Sequence, residues 1–243
     1  MTINTKTLAA IDIGTNAIRL FISNVEEYPT ETLFKKIAFL RVPIRLGEDV
    51  FTTGEIGQQK RKRLCETMQG FSYIMSAFNV ESYKAYATCA MREARNGKSV
   101  AEQIQKECDL NIEIISGTKE AETIFAGGMN EVVDDDKTYL YVDVGGGSTE
   151  VIVYSKSVKV EACSFPLGTV RMLNDAVDKE EMKHFKKWLK NITEKYTPDA
   201  IIGSGGNINK IHKLLNKKER ERITYQELDI LYEYMKSFNL EER

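Results

Sequence analysis

Two short stretches of the sequence combine a carboxylate, glycine and small polar side chains in an order that suits phosphate binding. Residues 12–16 read Asp-Ile-Gly-Thr-Asn, and residues 143–150 read Asp-Val-Gly-Gly-Gly-Ser-Thr-Glu. Glycine allows successive backbone N–H groups to converge on an anion without interference from a Cβ atom, and the hydroxyl and amide side chains add donors. The expected phosphate-binding residues of the two turns are Gly14, Thr15, Asn16, Gly145, Gly146, Gly147, Ser148 and Thr149.

Charged residues near these turns suit the same chemistry. The guanidinium groups of Arg19 and Arg92 are expected to offset phosphate charge through bidentate contacts. Asp143 and Glu150 bracket the second turn. Because a bare carboxylate and a phosphate repel each other, this arrangement implies a bridging hard cation, and Mg2+ is the usual one. Phosphoryl hydrolysis then needs an oriented water and a carboxylate that acts as its base.

Each of these features alone also has an ordinary structural explanation. Residues 14–16 are typical of a hairpin turn, because Gly and Asn are favoured in turns, and Asp12 and Asp143 are typical turn caps. Glu120 suits the first turn of a helix, where its charge interacts with the helix dipole. The three glycines at 145–147 favour a functional role more strongly, since consecutive glycines weaken a turn that has only a structural role.

Composition and charge argue against several other classes. The chain has 243 residues, 42% of them apolar, and a formal net charge of −2 with acidic and basic residues interleaved. This predicts a globular protein with no broad field for nucleic acid or membrane. The four cysteines form no C-x-x-C pair, so a reducing compartment is expected and zinc is not. Because no apolar leader or membrane span is evident, we expect a soluble, cytoplasmic protein.

Strands and helices alternate along the chain, which predicts the α/β class. Apolar runs predict strands at 6–13, 18–25, 33–40, 83–87, 112–115, 139–144, 149–154, 158–164 and 200–203. Helices are predicted near 99–108, 119–129 and 182–196, and helical spacing predicts a further helix with five apolar residues on one face: Leu64, Met68, Phe71, Met75 and Phe78. The predicted helix caps are Ser116 or Thr118, Asp178 in a capping box with Glu181, and Thr224 in a capping box with Glu227.

The pattern of apolar strand, Asp, glycine turn and second strand occurs at Asp12 and again at Asp143. This internal similarity predicts a duplicated unit, with one domain at 1–130 and another at 131–243. Such a duplication would place two like turns across a pseudo-two-fold cleft.

Several motifs together resemble the exopolyphosphatase and guanosine pentaphosphate phosphohydrolase family. The segments that resemble family motifs span nearly the whole chain in the expected order. They are residues 10–20, 45–48, 87–94 with Asn96, 115–117 with Glu120, 142–150, 165–168 with Arg171, and 203–206.

The resemblance implies two actin-like, ribonuclease H-like domains with a cleft between them. It also implies that Glu120 is the catalytic base, that Asp143 and Glu150 bind the metal, and that Arg92 and the two turns bind phosphates. The implied substrates are inorganic polyphosphate, attacked from its end, or guanosine pentaphosphate. A homodimer is a candidate assembly, since relatives are often dimers.

Three departures from the family pattern stand out. Ala17 and Cys89 occupy positions where serine is usual, and the chain stops at 243 whereas relatives continue, so the second domain is expected to be truncated at its C-terminus. Two other functions fit the fold. One is an ATP-dependent kinase or ATPase in which residues 204–206 hold adenosine, and the other is an inactive module that senses guanosine polyphosphates.

Overall fold

Two mixed β-sheets with flanking helices form the architecture in the computed structural model, which describes residues 4–126, 134, 136–156, 158–218 and 221–239. The first sheet has strand order β3-β2-β1-β4-β5, and the second has β8-β7-β6-β9. The predicted α/β class is therefore confirmed.

The first sheet consists of β1 (Asn4–Ile13), β2 (Ile18–Glu27), β3 (Thr32–Val42), β4 (Ser82–Ala87) and β5 (Glu113–Ile114). Its helices are α1 (Leu46–Thr53), α2 (Gln58–Ala77), α3 (Cys89–Glu93) and α4 (Gly97–Cys108). The second half contains β6 (Thr138–Val144), β7 (Thr149–Ser155), β8 (Val158–Phe165) and β9 (Ala200–Ser204). The remaining helices are α5 (Gly117–Ala126), α6 (Thr169–Leu173), α7 (Lys179–Tyr196), α8 (Gly206–Leu214) and α9 (Tyr225–Lys236).

The two sheets repeat one topology. In the first, β1 pairs antiparallel with β2 and parallel with β4, and in the second, β6 pairs antiparallel with β7 and parallel with β9. The repeat extends to the register, since Asp12 is the partner of Arg19 and Asp143 is the partner of Glu150. The internal similarity read from the sequence is thus a duplication in three dimensions.

The helix α2 covers the first sheet with one apolar face. Leu64, Met68, Phe71 and Met75 are buried in the core beside Ile11, Ile13, Leu20 and Ile22 of the strands. Phe78, the fifth residue predicted for this face, is 43% exposed. The prediction is wrong there because the helix ends at Ala77, so residue 78 no longer follows the helical spacing.

The helix α5 packs against the second sheet, although it precedes that sheet in the chain. Its Ala121 lies in a buried cluster with Tyr139, Tyr141, Ile152 and Tyr154.

Three features considered from the sequence lie outside the described residues. They are the predicted boundary between residues 130 and 131, the predicted helix end at Met129, and residues 240–243, where the chain stops.

The predicted helix caps are only partly confirmed. The Thr224 capping box forms with Glu227, and the Ser116 hydroxyl accepts a hydrogen bond from the Lys119 amide at 3.2 Å. Asp178 caps α7 by accepting from the Glu180 amide, but the reciprocal bond predicted from Glu181 does not form among the described residues. Instead, the Glu181 carboxylate lies 3.7 Å from His184.

Within the described part of the chain, no helix is both long and apolar enough to cross a membrane.

Candidate functional site

The two glycine turns close in the same way. In the first, the Gly14 amide donates to the Ala17 carbonyl at 3.2 Å, and in the second, the Gly145 amide donates to the Ser148 carbonyl at 2.9 Å. Each turn therefore begins and ends at equivalent positions between two antiparallel strands. Ala17 is buried and contributes its backbone carbonyl to this closure.

The first turn is held by the segment that leads into α1. The Thr15 carbonyl accepts from the Gly47 amide at 3.0 Å, and the Asn16 carbonyl accepts from the Arg45 amide at 2.9 Å. Because a trans peptide is planar, a fixed carbonyl directs the next N–H to the opposite side. A Cβ atom at residue 47 would overlap the Thr15 side chain, so glycine is needed for this close approach.

The second turn is held in the same way by the start of α6. The carbonyls of Gly145 and Gly146 accept from the amides of Thr169 and Val170, at 3.0 and 2.8 Å. The Gly147 carbonyl accepts from Nε of Arg171 at 2.9 Å. Three successive carbonyls are thus bound on the α6 side, which directs the three following N–H groups away from it.

These oriented amides have the character of an anion-binding nest. No described residue accepts a hydrogen bond from the amides of Thr15, Asn16, Gly146 or Gly147. Unpaired backbone N–H groups are uncommon, and converging ones attract an anion.

The two turns lie against each other. A Cβ atom added at Gly146 would be 3.1 Å from the Thr15 Cβ, and one added at Gly147 would be 2.9 Å from the Thr15 Oγ1. The structure therefore brings the two predicted phosphate-binding segments together in one place.

The side chains of the turns differ in how exposed they are and in whether they already have a hydrogen-bond partner. Thr15, Ser148 and Thr149 are buried, whereas Asn16 is exposed. The Thr149 hydroxyl donates to the Leu167 carbonyl at 2.5 Å, so it already has a protein partner. The backbone amides, rather than these hydroxyls, are the main donors that the second turn presents.

Acidic side chains surround the turns. Asp12 forms an ion pair with Arg19, its partner across β1 and β2. The Ser204 hydroxyl donates to Asp143 at 2.9 Å, and the Ser164 hydroxyl donates to Glu150 at 2.8 Å. Burial is the main cause that raises the pKa of each of these three carboxyl groups. The negative charge of Asp12 adds to the shift at Asp143, and that of Asp143 adds to the shift at Glu150, whereas Arg19 opposes the shift at Asp12.

Glu120 stands out among the carboxylates. It lies in the first turn of α5, its side chain is 15% exposed, and its Oε2 is 3.3 Å from Nη1 of Arg92. Burial first, and then the negative charge of Glu150, raise its pKa to about 7, although Arg92 opposes the shift. A carboxylate with a pKa near neutrality can accept a proton efficiently at physiological pH. Glu120 does lie in the first turn of a helix, as the structural explanation from the sequence has it, but its surroundings also raise its pKa.

The donor set beside the second turn is compatible with Mg2+. Asp143 and Glu150 face each other across β6 and β7, and no described Lys or Arg forms an ion pair with either carboxylate. No group of three or more His, Cys, Asp or Glu residues in the described ranges could hold a metal alone. Mg2+ commonly binds through one or two carboxylates together with phosphate oxygens, so these two residues fit a cation shared with a phosphate substrate.

Some residues of the site were not predicted from the sequence. Ser164 became visible only through strand pairing, which places it beside Glu150. Ser204 had been read as part of a possible adenosine-binding turn, and only strand pairing shows it beside Asp143. A Cβ atom at Gly168 would overlap the backbone of Gly146, just as one at Gly47 would overlap Thr15. Both glycines had a signal in the sequence, because the Leu-Gly pairs at 46–47 and 167–168 occupy like places after the third strand of each half.

Comparison with known proteins adds an independent line of information. Residues 22–243 match the Ppx/GppA phosphatase family. The chain is 32% identical over 168 residues to a bifunctional 3-dehydroquinate synthase/phosphatase of Fusobacterium nucleatum, a match that covers 68% of this chain and 25% of that protein. It is 28% identical over 170 residues to exopolyphosphatase 2 of Mycobacterium tuberculosis, covering 68% of this chain and 53% of the relative. The matches therefore span a quarter and about half of these two relatives.

The fold also matches a solved structure. An exopolyphosphatase from Cytophaga hutchinsonii superposes with a TM-score of 0.83 at 23% sequence identity, covering 98% of this chain and 82% of the other. This similarity supports the same two-sheet architecture.

Proposed function

The chain belongs to the Ppx/GppA phosphatase family, and from this we propose that it hydrolyses the terminal phosphoanhydride bond of inorganic polyphosphate and releases orthophosphate. The observation that carries the proposal is the position of Glu120, a partly buried carboxylate with a pKa of about 7 that pairs with Arg92 beside two glycine turns in mutual contact. The Mycobacterium tuberculosis relative is named an exopolyphosphatase, which supports polyphosphate as the substrate class.

The two turns would hold neighbouring phosphoryl groups of one chain. The free amides of Thr15, Asn16, Gly146 and Gly147 supply donors from both halves. Arg92 would neutralise charge on the terminal phosphoryl group, because it already lies beside the base. Arg19, which is tied to Asp12, would act from the edge of the first turn.

Glu120 would act as the general base. Its carboxylate accepts a proton from water as the water oxygen attacks the terminal phosphorus. The bond from that phosphorus to the bridging oxygen breaks, and the shortened chain leaves with the electron pair. Asp143 and Glu150 would hold Mg2+, which when bound neutralises charge on phosphate oxygens.

A phosphate-release assay tests this function directly. We expect orthophosphate release from tripolyphosphate and longer chains with Mg2+, and a loss of turnover of about 10²- to 10⁴-fold in Glu120→Gln, the usual range for a general base. Glu122→Gln is the matched control, because Glu122 lies on the same helix but pairs with Lys159 at the surface.

The same assay separates the alternatives when guanosine pentaphosphate and ATP are included. Preferential release from guanosine pentaphosphate would assign the other activity suggested by the family resemblance. Consumption of ATP that depends on an acceptor would indicate a kinase. Binding of a guanosine polyphosphate without release, over a range of metals and pH, would identify a sensing module. Equal turnover by Glu120→Gln and the wild type would reject Glu120 as the base.

A further inference from the structure

Arg171 makes an unusual set of contacts for a residue that lies outside the turns. It lies on α6 in the second half of the chain and is 9% exposed. Its Nη2 is 2.7 Å from both carboxylate oxygens of Glu93, which belongs to α3 in the first half. Its guanidinium carbon lies 4.1 Å from the centre of the Phe51 ring on α1. Its Nε donates to the Gly147 carbonyl at 2.9 Å.

These contacts connect the second glycine turn to the first half of the protein. A single planar guanidinium binds Gly147 with one nitrogen and Glu93 with another, while its face stacks on Phe51. The geometry is rigid, because the nitrogens of the fork are coplanar. Any rotation of the Gly147 peptide would break the Nε bond and turn the Ser148 amide away from its present direction.

We propose that Arg171 is a positioning residue that fixes the second glycine turn against the first half, so that the amides of both turns meet one phosphate chain. The proposal deepens the proposed function and rests on it for the identity of the ligand. The orientation of the turn itself is a property of the protein alone and is measurable without any substrate.

Cys89 completes the surroundings of this contact. Its Sγ is 3.6 Å from Nη2 of Arg171 and donates to Glu93 at 3.3 Å. A Cβ atom at Gly147 would lie only 2.5 Å from that sulfur. The thiol therefore fills the space behind the turn and limits how far Gly147 can move toward the first half.

Two variants test the proposal. Arg171→Lys keeps the positive charge but lacks both the Nε donor and the fork, and Glu93→Gln removes the charge from the first-half partner. We expect each to raise the KM for tripolyphosphate about tenfold or more, which corresponds to about 1.4 kcal/mol of lost binding, with a smaller change in kcat. Glu122→Gln, which removes a different ion pair, that of Glu122 on α5 with Lys159 on β8, is expected to leave both constants unchanged.

Amide hydrogen exchange of residues 143–150 supplies the readout that is independent of activity. We expect faster exchange in this segment in both variants, with the 18–27 segment of the first sheet unchanged. If the wild type releases no phosphate but the exchange pattern appears, the positioning role stands and the proposed function fails.

The opposite result would overturn the positioning role. If the variants only lower the midpoint of thermal unfolding, while KM and the exchange of 143–150 stay at wild-type values, Arg171 is a structural ion-pair partner and nothing more. If Arg171→Lys does not fold, Glu93→Gln carries the same test. It weakens the contact of Arg171 with the first half but keeps the Arg171 Nε donor for the Gly147 carbonyl.

Discussion

Asp143 and Glu150 are direct partners across the antiparallel strands β6 and β7, at the place where the first sheet pairs Asp12 with Arg19. The duplication thus keeps the backbone and changes the charge, from an acid–base pair in one half to two acids in the other. Two carboxylates on directly paired residues of neighbouring strands repel each other unless a proton or a cation lies near them. A bound cation would therefore be stabilised at the second turn, beside Asp143 and Glu150.

Removal of divalent cations should abolish phosphate release, and Mg2+ should restore it. Asp143→Asn leaves one carboxylate, so we expect it to raise the Mg2+ concentration for half-maximal rate by about tenfold or more, since affinity depends on the number of charged ligands. Titration of Mg2+ in the release assay measures this. Asp229→Asn, at an exposed position on α9, is the control. An unchanged Mg2+ requirement in Asp143→Asn would remove Asp143 from the metal site.

The rate should depend on pH through Glu120. Its pKa is raised to about 7, and a base must be ionised to act. We therefore expect kcat to fall as pH decreases through 7, with about one tenth of the maximal rate left near pH 6. A pH profile of kcat with tripolyphosphate measures this, and the Glu120→Gln variant should lose the inflection. A flat wild-type profile between pH 6 and 8 would contradict the assignment.

Glu120→Gln should also stabilise the fold at high pH. Because the folded-state pKa lies above the ordinary value of 4.5, the folded protein holds this proton more tightly than the unfolded chain does. Stability is therefore lost as pH rises from about 4.5 to 7, and at pH 8 the ionised carboxylate costs about 1 to 3 kcal/mol. Urea denaturation in metal-free buffer should show a larger free energy of unfolding for Glu120→Gln at pH 8, but not at pH 4. Glu122→Gln should show no such gain.

Gly168→Ala should damage the second turn. An added Cβ atom would overlap the backbone of Gly146, which cannot move without breaking the bonds that hold the turn. We expect a loss of about 1 to 3 kcal/mol in the free energy of unfolding, as for other overpacked sites, together with weaker tripolyphosphate binding. Gly70→Ala is the matched control, because no atom lies within 4 Å of its added Cβ. That helical substitution should instead be neutral or stabilising by up to about 1 kcal/mol. Equal stability of the two variants would contradict the close approach.

Cys89 should be chemically inert in the native protein. It is buried, and burial together with the charge of Glu93 raises the pKa of its thiol to about 12. Because the thiolate is the reactive form, we expect no labelling by iodoacetamide at pH 8 until the chain is unfolded. Mass spectrometry of native and urea-treated protein checks this. Rapid labelling of the native protein at Cys89 would show that the space behind Gly147 opens in solution.

The sequence was sufficient for the features that depend on local pattern. An apolar strand, an Asp and a glycine turn followed by a second strand occur at Asp12 and again at Asp143. Both turns and their duplication were therefore predictable from this repeated local pattern. Thr224 with Glu227 was predictable for the same reason, because a capping box lies within four residues of chain.

Features that depend on distant parts of the chain were not predictable. Phe78 fits the helical spacing, but the chain leaves the helix one residue earlier. Arg171 contacts Glu93 at a sequence separation of 78 residues, and no local pattern indicates that contact. The raised pKa of Glu120 depends mainly on the burial of its side chain, which is evident only from the packing of α5 against the second sheet.

The tethering of both loops by short helices also bears on the thermodynamics of ligand capture. Ordering a mobile loop around a ligand consumes part of the interaction energy, often several kcal/mol. Here the peptide planes of both loops are fixed during folding by residues 45–47 and 169–171. An incoming polyanion would meet a preformed receptor, so more of its interaction energy remains for affinity and for discrimination of the spacing between its charges.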